Sequence, residues 1–307
     1  MIYERLVDIL KEENVVKNKP LKQHTYTRLG GHADYFVTPE TYEQVQAIVR
    51  LADEQSIPFM LLGNGSNLII KDGGIRGIVM YLGKLNNMEI TNDKLTAESG
   101  ALIAKVSAFA LEKNLSGLEF ACGIPGSIGG ALFMNAGAYG GEIKDVLESA
   151  LIVTKDGSLD RKLAKDLNLN YRTSNISSEE YIVLEATFAL KEAKHEDIKA
   201  VMDDLTFKRE SKQPLEYPTC GSVFKRPPGN YAGKLIQDSG LQGKQIGGAQ
   251  VSLKHAGFII NKDNATANEY IGLIEYIQTE VKRQYAVELE REVRIIGEDL
   301  GSYTLNK

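Results

Sequence analysis

The chain has little of what metal and disulfide chemistry requires. Only two cysteines occur in 307 residues, Cys122 and Cys220, and neither belongs to a C-x-x-C or Cys/His ligand pattern. That spacing argues against a disulfide scaffold or a zinc site and predicts reduced thiols. The four histidines, His24, His32, His195 and His255, show no H-x-x-H or H-E-x-x-H spacing, so no metal is expected. No apolar run approaches the roughly 20 residues that cross a bilayer. The first residues, MIYERLVDILKEEN, are charged and amphipathic rather than signal-like, so a cytoplasmic protein with no membrane partner is expected. A formal net charge of −5 gives no general attraction to nucleic acid. Any anionic ligand has to be held by a local site.

What is present reads as an ordinary globular chain, with 43% hydrophobic and 25% charged residues, long enough for about two domains of roughly 150 residues each. Thr38-Pro39-Glu40 is a helix N-cap signal, and Val45, Ile48, Val49 and Ala52 come after it at helical spacing. Strand-like pieces FMLL, NLIIK, GIVMYL and MEI come next, before Ile103, Val106 and Ala110 mark a second helix. ALIVT and SLDRKL flank a K-D-G turn like a hairpin, and YIVLEATFAL reads as a buried strand. A third helix is expected through Ile198, Val201, Met202 and Leu205, leading into KRESKQPLEYP, whose prolines suit a domain boundary. Thr266 and Glu269 form a capping box ahead of Tyr270, Ile274, Ile277 and Val281 on one helical face, and VELEREVRIIG reads as a final strand.

Two glycine-rich stretches carry the chemistry. In GNGSNLIIKDGG (63–74) the pair Gly63-x-Gly65 leads to Leu68 where a dinucleotide fingerprint needs its third glycine, and the residues after the loop read as strand rather than helix. Two readings stay open: an Asn-Gly hairpin turn, or a nest of backbone N–H groups that binds an anion with help from Ser66 and Asn67. The second stretch, ACGIPGSIGGALFMNAGAYGG (121–141), holds seven glycines in 21 positions, against about 7% in average proteins. It is longer than a tight turn requires. Two segments rich in glycine and neutral donors fit one long pyrophosphate ligand approached closely by backbone.

G-N-G-S-N-L (63–68), G-x-P-G-S-x-G-G-A (123–131) and N-A-G-A-Y-G-x-E (135–142) together resemble the flavin-binding half of the UDP-N-acetylenolpyruvoylglucosamine reductases. The resemblance continues through TRLGG (27–31), Y-R (171–172), G-S-V-F-K (221–225), Q-I-G-G-A (245–249) and L-E-R-E-V-R (289–294), so it covers nearly the whole chain. It implies an α+β protein with a vanillyl-alcohol oxidase-like FAD-binding fold of two subdomains, 1–84 and 85–206. An α/β substrate-binding domain comes next at 207–294, and 295–307 returns to the first subdomain. It further implies non-covalent FAD, NADPH as co-substrate, and reduction of an enolpyruvyl ether of a UDP-sugar for peptidoglycan synthesis. Gly63, Asn64, Gly65, Ser66, Asn67, Gly123, Ser127, Gly129, Gly130, Asn135, Ala136, Gly137 and Arg294 are the cofactor residues so implied. Longer members of the family carry an inserted tyrosine loop over the substrate, and no counterpart stands here.

The reaction implied delivers hydride to a terminal CH2, so charge accumulates on C2 and its carboxylate. Arg172 matches the family arginine, and a guanidinium fork suits a carboxylate or its enediolate form. Glu292 matches the family glutamate that stabilises the same charge. By pattern alone Arg172 is a surface residue and Glu288, Glu290 and Glu292 are a solvated strand face. Ser222 is the implied general acid, a role that needs a cationic neighbourhood to which Lys225 contributes. Lys225, Arg226, Tyr231, Gln242 and His255 are candidate contacts for the nucleotide sugar, His255 being as well explained by a structural role. A sugar or alcohol oxidase on the same flavin fold, or a non-catalytic flavin binder, are the competing readings. A monomer or weak dimer acting on small molecules is expected.

Overall fold

The computed structural model describes residues 1–91 and 94–301. The chain forms two compact units. The first comprises Met1–Lys17, Tyr35–Asn64 and Gly77–Arg209; the second comprises Asn18–Asp34, Gly65–Arg76 and the chain from Glu210 onward.

The first unit has two cores. One joins helices Ile2–Leu10 and Tyr42–Glu54 to strand residues of this unit in the order 15–17, 35–37, 77–81 and Phe59–Leu62. Val45, Ile48, Val49 and Ala52 are buried there, as the helical spacing requires. The cap of that helix is Thr41 rather than Thr38: its hydroxyl accepts from Gln44 N at 3.3 Å, and Gln44 Oε1 accepts from Glu40 N at 2.7 Å. Both threonines fit the cap pattern. Only Thr41 has a residue three places on that answers it, a variant of the capping box.

The second core packs helices Ile103–Glu112 and Ile128–Phe133 on a five-stranded sheet ordered Leu159–Leu163, Leu147–Val153, Ile182–Ala189, Lys94–Glu98, Met88–Thr91. The expected hairpin is there, with Val153 opposite Leu159 and Gly157 turning at φ 78°. The expected buried strand Ile182–Ala189 lies at the centre of the sheet. Its side chains are buried on both faces at Ile182, Val183 and Leu184, which explains the unbroken apolar run. Helix His195–Lys212 buries Ile198 and Leu205 but leaves Val201 exposed.

The second unit folds around strands Thr219–Ser222, Phe258–Asn261, Ala249–Val251 and Gln245–Ile246, in that order, and helices Ala232–Asp238 and Ala267–Tyr285. The capping box is present: Glu269 N donates to Thr266 Oγ1 at 3.2 Å and Thr266 N to Glu269 Oε2 at 2.9 Å. Tyr270, Leu273, Ile274, Ile277 and Val281 line the buried face of that long helix. Leu29 and Ile69 join this core from the early part of the chain. The expected strand VELEREVRIIG is strand only at Arg294–Ile296, which pairs in parallel with Leu68–Ile70. Before it, residues 287–293 form no strand and make a single bridge, Arg291 opposite Phe224. Of the segment 295–307 expected to return, 302–307 lie outside the described residues.

Candidate active site

The loop Gly63–Asn67 is not a hairpin turn. The strand before it, Phe59–Leu62, pairs in parallel with Ile78–Tyr81, whereas the strand after it pairs with Arg294–Ile296. An Asn-Gly hairpin would pair its two flanking strands with each other. In the first unit Asn64 Nδ2 donates to Pro125 O at 2.6 Å. A β-carbon on Gly63 would stand 3.2 Å from Ser127 Oγ and 3.8 Å from Gly130 Cα. Backbone thus meets the second glycine stretch with no side chain of Gly63 between. Ser127 caps helix Ile128–Phe133, its hydroxyl accepting from Gly130 N at 3.4 Å, while Gly129 N donates to Ser99 O at 3.0 Å. Gly123 lies against the side chain of Arg209.

In the second unit Gly65 turns at φ 65°, where a β-carbon would fall 2.0 Å from His24 O, and its own carbonyl accepts from Tyr26 N at 3.0 Å. Ser66 is half-buried. Asn67 O accepts from Arg294 N at 3.2 Å, and Asn67 Nδ2 donates to Glu292 O at 3.2 Å.

Arg172 sits in a tight turn of the first unit. Asn170 and Thr173 exchange backbone hydrogen bonds of 3.0 and 3.2 Å, and between them Arg172 takes φ 55°, a left-handed conformation uncommon for a side chain of its size. Arg172 Nη2 donates to Gly137 O at 3.0 Å, and the guanidinium lies 5.2 Å from the Tyr171 ring. The neighbouring Asn135 is wholly buried. Its Nδ2 donates to Glu142 Oε2 at 2.6 Å and to Asn170 O at 3.0 Å, and its Oδ1 accepts from Lys144 N at 2.9 Å. The side chain of Asn135, a residue expected at the cofactor, makes these three hydrogen bonds to protein groups. Ala136 N donates to Ala131 O at 2.8 Å, closing the turn after helix Ile128–Phe133.

Ser222 and Glu292 come together in the second unit. Gly221 takes φ 80°, a conformation that glycine adopts without strain, and the ladder between Thr219–Ser222 and Phe258–Asn261 shifts register there. That bulge leaves Ser222 exposed while Cys220 and Val223 stay buried. Val223 O then accepts from Glu292 N at 2.8 Å. Glu292 is half-buried. Its carboxylate stands close enough to add to the effect of burial, which pushes the Cys220 thiol up to about 11. Lys225 pairs with Glu290 at 2.6 Å, and Arg226 stacks on Tyr231 with 4.0 Å from guanidinium carbon to ring centre. Gln242 Nε2 donates to Leu253 O at 2.9 Å. His255 is half-buried: its Nδ1 accepts from Gly257 N at 3.1 Å, its ring packs edge-on to Phe258, and burial holds its pKa below the usual 6.5.

These residues fit the diphosphate of the FAD implied by the sequence. Gly63 brings bare backbone against Ser127 and Gly130, and 63–67 and 123–130 offer neutral hydroxyl, amide and N–H donors with no carboxylate. In the second unit Thr27 Oγ1 is buried with no hydrogen-bond partner among the described residues. Cys122 Sγ lies 3.8 Å from Met202 O and 3.7 Å from Thr206 Oγ1. Among the described residues no group of three or more His, Cys, Asp or Glu could hold a metal. Sequence reasoning overlooked Glu142, Asn170 and Ser174, although Glu142 ends the quoted N-A-G-A-Y-G-x-E motif. It also missed helix Ile128–Phe133, whose only signal was Ser127 after Pro-Gly.

Residues 213–296 match the family described as UDP-N-acetylenolpyruvoylglucosamine reductase, C-terminal domain, and residues 33–161 the one described as FAD binding domain. A UDP-N-acetylenolpyruvoylglucosamine reductase from Oceanobacillus iheyensis is 65% identical over 298 residues, 97% of each chain. The crystal structure of UDP-N-acetylenolpyruvylglucosamine reductase from Thermus caldophilus is similar with a TM-score of 0.79 and 32% identity, covering 92% of this chain and 97% of that one. A grass pollen allergen with glucose dehydrogenase activity shares the fold alone, at 15% identity and a TM-score of 0.50 over 62% of this chain and 44% of its own. The α+β, vanillyl-alcohol oxidase-like fold expected from the sequence is borne out.

Proposed function

The chain belongs to the family of UDP-N-acetylenolpyruvoylglucosamine reductases, and on that premise we propose how its own residues divide the work. The reaction is the NADPH-driven, FAD-dependent reduction of the enolpyruvyl ether of UDP-N-acetylglucosamine to UDP-N-acetylmuramate, a step of peptidoglycan synthesis. Bound FAD supplies the hydride relay from NADPH to the double bond.

The protein must hold the substrate carboxylate, stabilise charge on C2 and deliver a proton there. Arg172 pairs with the carboxylate through its guanidinium fork, an interaction that strengthens as the enediolate forms. Glu292 hydrogen-bonds the same charge-bearing group. Ser222 Oγ donates the proton to C2, and Lys225, fixed by Glu290, lends the positive charge that a hydroxyl acid needs. Arg226, Tyr231, Gln242 and His255 serve the nucleotide sugar. Gly63, Asn64, Gly65, Ser66 and Asn67, with Gly123, Ser127, Gly129, Gly130, Ala136 and Gly137, hold the diphosphate of FAD, and Arg294 anchors the end of that loop. The observation that carries the assignment is the bulge at Gly221, which turns Ser222 outward one residue before the carbonyl that receives Glu292 N.

The enzyme works in the cytoplasm on small molecules, as a monomer or weak dimer, with no nucleic acid or membrane partner. A net charge of −5 supports this, and among the described residues no helix is long and apolar enough to cross a membrane. In Ser222→Ala, NADPH is expected to bleach the flavin as in the wild type, while the enolpyruvyl substrate restores its colour at least ~100-fold more slowly. Wild-type reoxidation in a stopped-flow trace would remove Ser222 from the mechanism, and substrate-dependent peroxide would point to an oxidase.

A further inference from the structure

Asn135 and Glu142 have no part in the roles just assigned, yet they are among the most constrained polar side chains of the first unit. We propose that they are positioning residues that hold the Arg172 turn in the conformation that meets the substrate carboxylate. The inference rests on Arg172 serving that carboxylate, and its test keeps the two apart.

Three attachments converge on the turn. Asn135 Nδ2 donates to Asn170 O at 3.0 Å, Arg172 Nη2 donates to Gly137 O at 3.0 Å, and Ser174 Oγ donates to Phe133 O at 2.8 Å. All three lead back to the segment 133–137, so backbone and guanidinium of the turn share one support. Asn135 is itself fixed by Glu142 at 2.6 Å and by Lys144 N at 2.9 Å. Glu142 is fixed in turn by an ion pair with Lys144 and by a reciprocal cap with Asp145, whose Oδ2 accepts from Glu142 N at 2.9 Å. A left-handed, non-glycine residue persists only where its surroundings over-determine it, and these are the surroundings of Arg172. Asn135 has no unused donor: both Nδ2 hydrogens and its Oδ1 are taken by protein groups. Without the Glu142 carboxylate, one buried N–H of Asn135 is orphaned, which removes part of what fixes the amide against Asn170 O.

The test compares Glu142→Ala, Glu142→Gln, Ser174→Ala, Arg172→Ala and the double variant Glu142→Ala/Arg172→Ala. Glu142→Ala is expected to slow reoxidation of the reduced flavin by enolpyruvyl substrate about ten- to a hundredfold, the range for a misplaced binding group. Its reduction by NADPH and its FAD affinity, measured by fluorescence quenching on the apoprotein, should change less than twofold. Glu142→Gln, which keeps an acceptor oxygen, should recover most of the loss. In the apoprotein of Glu142→Ala, amide exchange at Asn170 and Thr173 should speed up while strand Ile182–Ala189 keeps its protection. If Glu142 acts through Arg172, the double variant is no slower than Arg172→Ala. Multiplicative losses, or unchanged exchange at the turn, would overturn the proposal. Full activity in Arg172→Ala would instead sink the role given to Arg172, whatever the exchange data show. Should Glu142→Ala not fold, Ser174→Ala, which loosens the same turn, must give the same selective slowing or the inference fails.

Discussion

Replacing Gly65 and Gly63 by alanine separates what the 63–67 loop needs in order to fold from what it needs in order to bind. At Gly65 the backbone stands at φ 65°, and a β-carbon would fall 2.0 Å from His24 O and 2.9 Å from Thr25 Cα. The left-handed conformation alone costs alanine ~1–2 kcal/mol. The clash is with main chain, which cannot swing aside, and overpacking of that kind adds ~1–3 kcal/mol. Gly65→Ala is therefore expected to lose about 3 kcal/mol or more of stability in urea with no FAD present. At Gly63 the nearest atom is a serine hydroxyl at 3.2 Å, which can give by a few tenths of an ångström. Gly63→Ala should fold within ~1 kcal/mol of wild type, since isolated substitutions without a clash stay in that range. It should nevertheless take up FAD at least tenfold more weakly, because the new methyl occupies the surface where backbone is bare. Urea titration of both apoproteins, followed by flavin-fluorescence titration, measures the two effects separately. Wild-type stability in Gly65→Ala would refute the turn geometry, and wild-type FAD affinity in Gly63→Ala would refute the reading of the loop as a cofactor cradle.

Two titrating groups give further checks. Burial pushes the Cys220 thiol up to about 11, against the opposing effect of the Tyr270 hydroxyl 3.4 Å from its Sγ, so little reactive thiolate is present at neutral pH. In Cys122→Ser, a disulfide reagent at pH 8 should find no fast-reacting thiol until denaturant is added, and one full equivalent reacting within minutes would contradict that burial. Burial also holds His255 and His24 below the usual 6.5, with the charge of Lys19 adding to the effect at His24. The folded state then binds fewer protons than the unfolded one below 6.5, so this stability is complete above that pH and lost as pH falls through the folded pKa values. Urea midpoints should drop between pH 7.5 and 5, less steeply in His255→Asn, and an identical slope in that variant would rule His255 out.

What could be read from the sequence was whatever a local pattern decides. Val45, Ile48, Val49 and Ala52 form a helix face because nothing but a helix brings that spacing to one side. Thr266 and Glu269 start the last helix because each satisfies the other's backbone N–H. Long-range pairing leaves no such mark. Leu68–Ile70 looks the same whether its partner is the strand before it or Arg294–Ile296, and the Asn-Gly dipeptide argued for the wrong one. Helix Ile128–Phe133 was hidden by its own glycines, which are poor helix formers. Gly129 stands there because a β-carbon would lie 2.1 Å from Ser99 Oγ, a packing constraint that local propensity cannot express.

The candidate catalytic residues show the same limit more sharply. Alternation placed Glu292 with Glu288 and Glu290 on a solvated face, and by period alone the three carboxylates are equivalent. In the structure Glu288 pairs with Lys282 and Glu290 with Lys225, whereas Glu292 is drawn inward, its N–H on Val223 O and its carbonyl receiving Asn67 Nδ2. What distinguishes it is a bond to a residue from the other end of the sequence. Resemblance singles it out because a family records such pairings, which composition and period do not. Asn135 shows the converse: the motif that marks the residue is silent about whether its amide faces a ligand or the protein, and here three hydrogen bonds turn it toward the protein. A motif therefore locates a site, and only the hydrogen-bond partners of each side chain decide which of its members can touch the ligand.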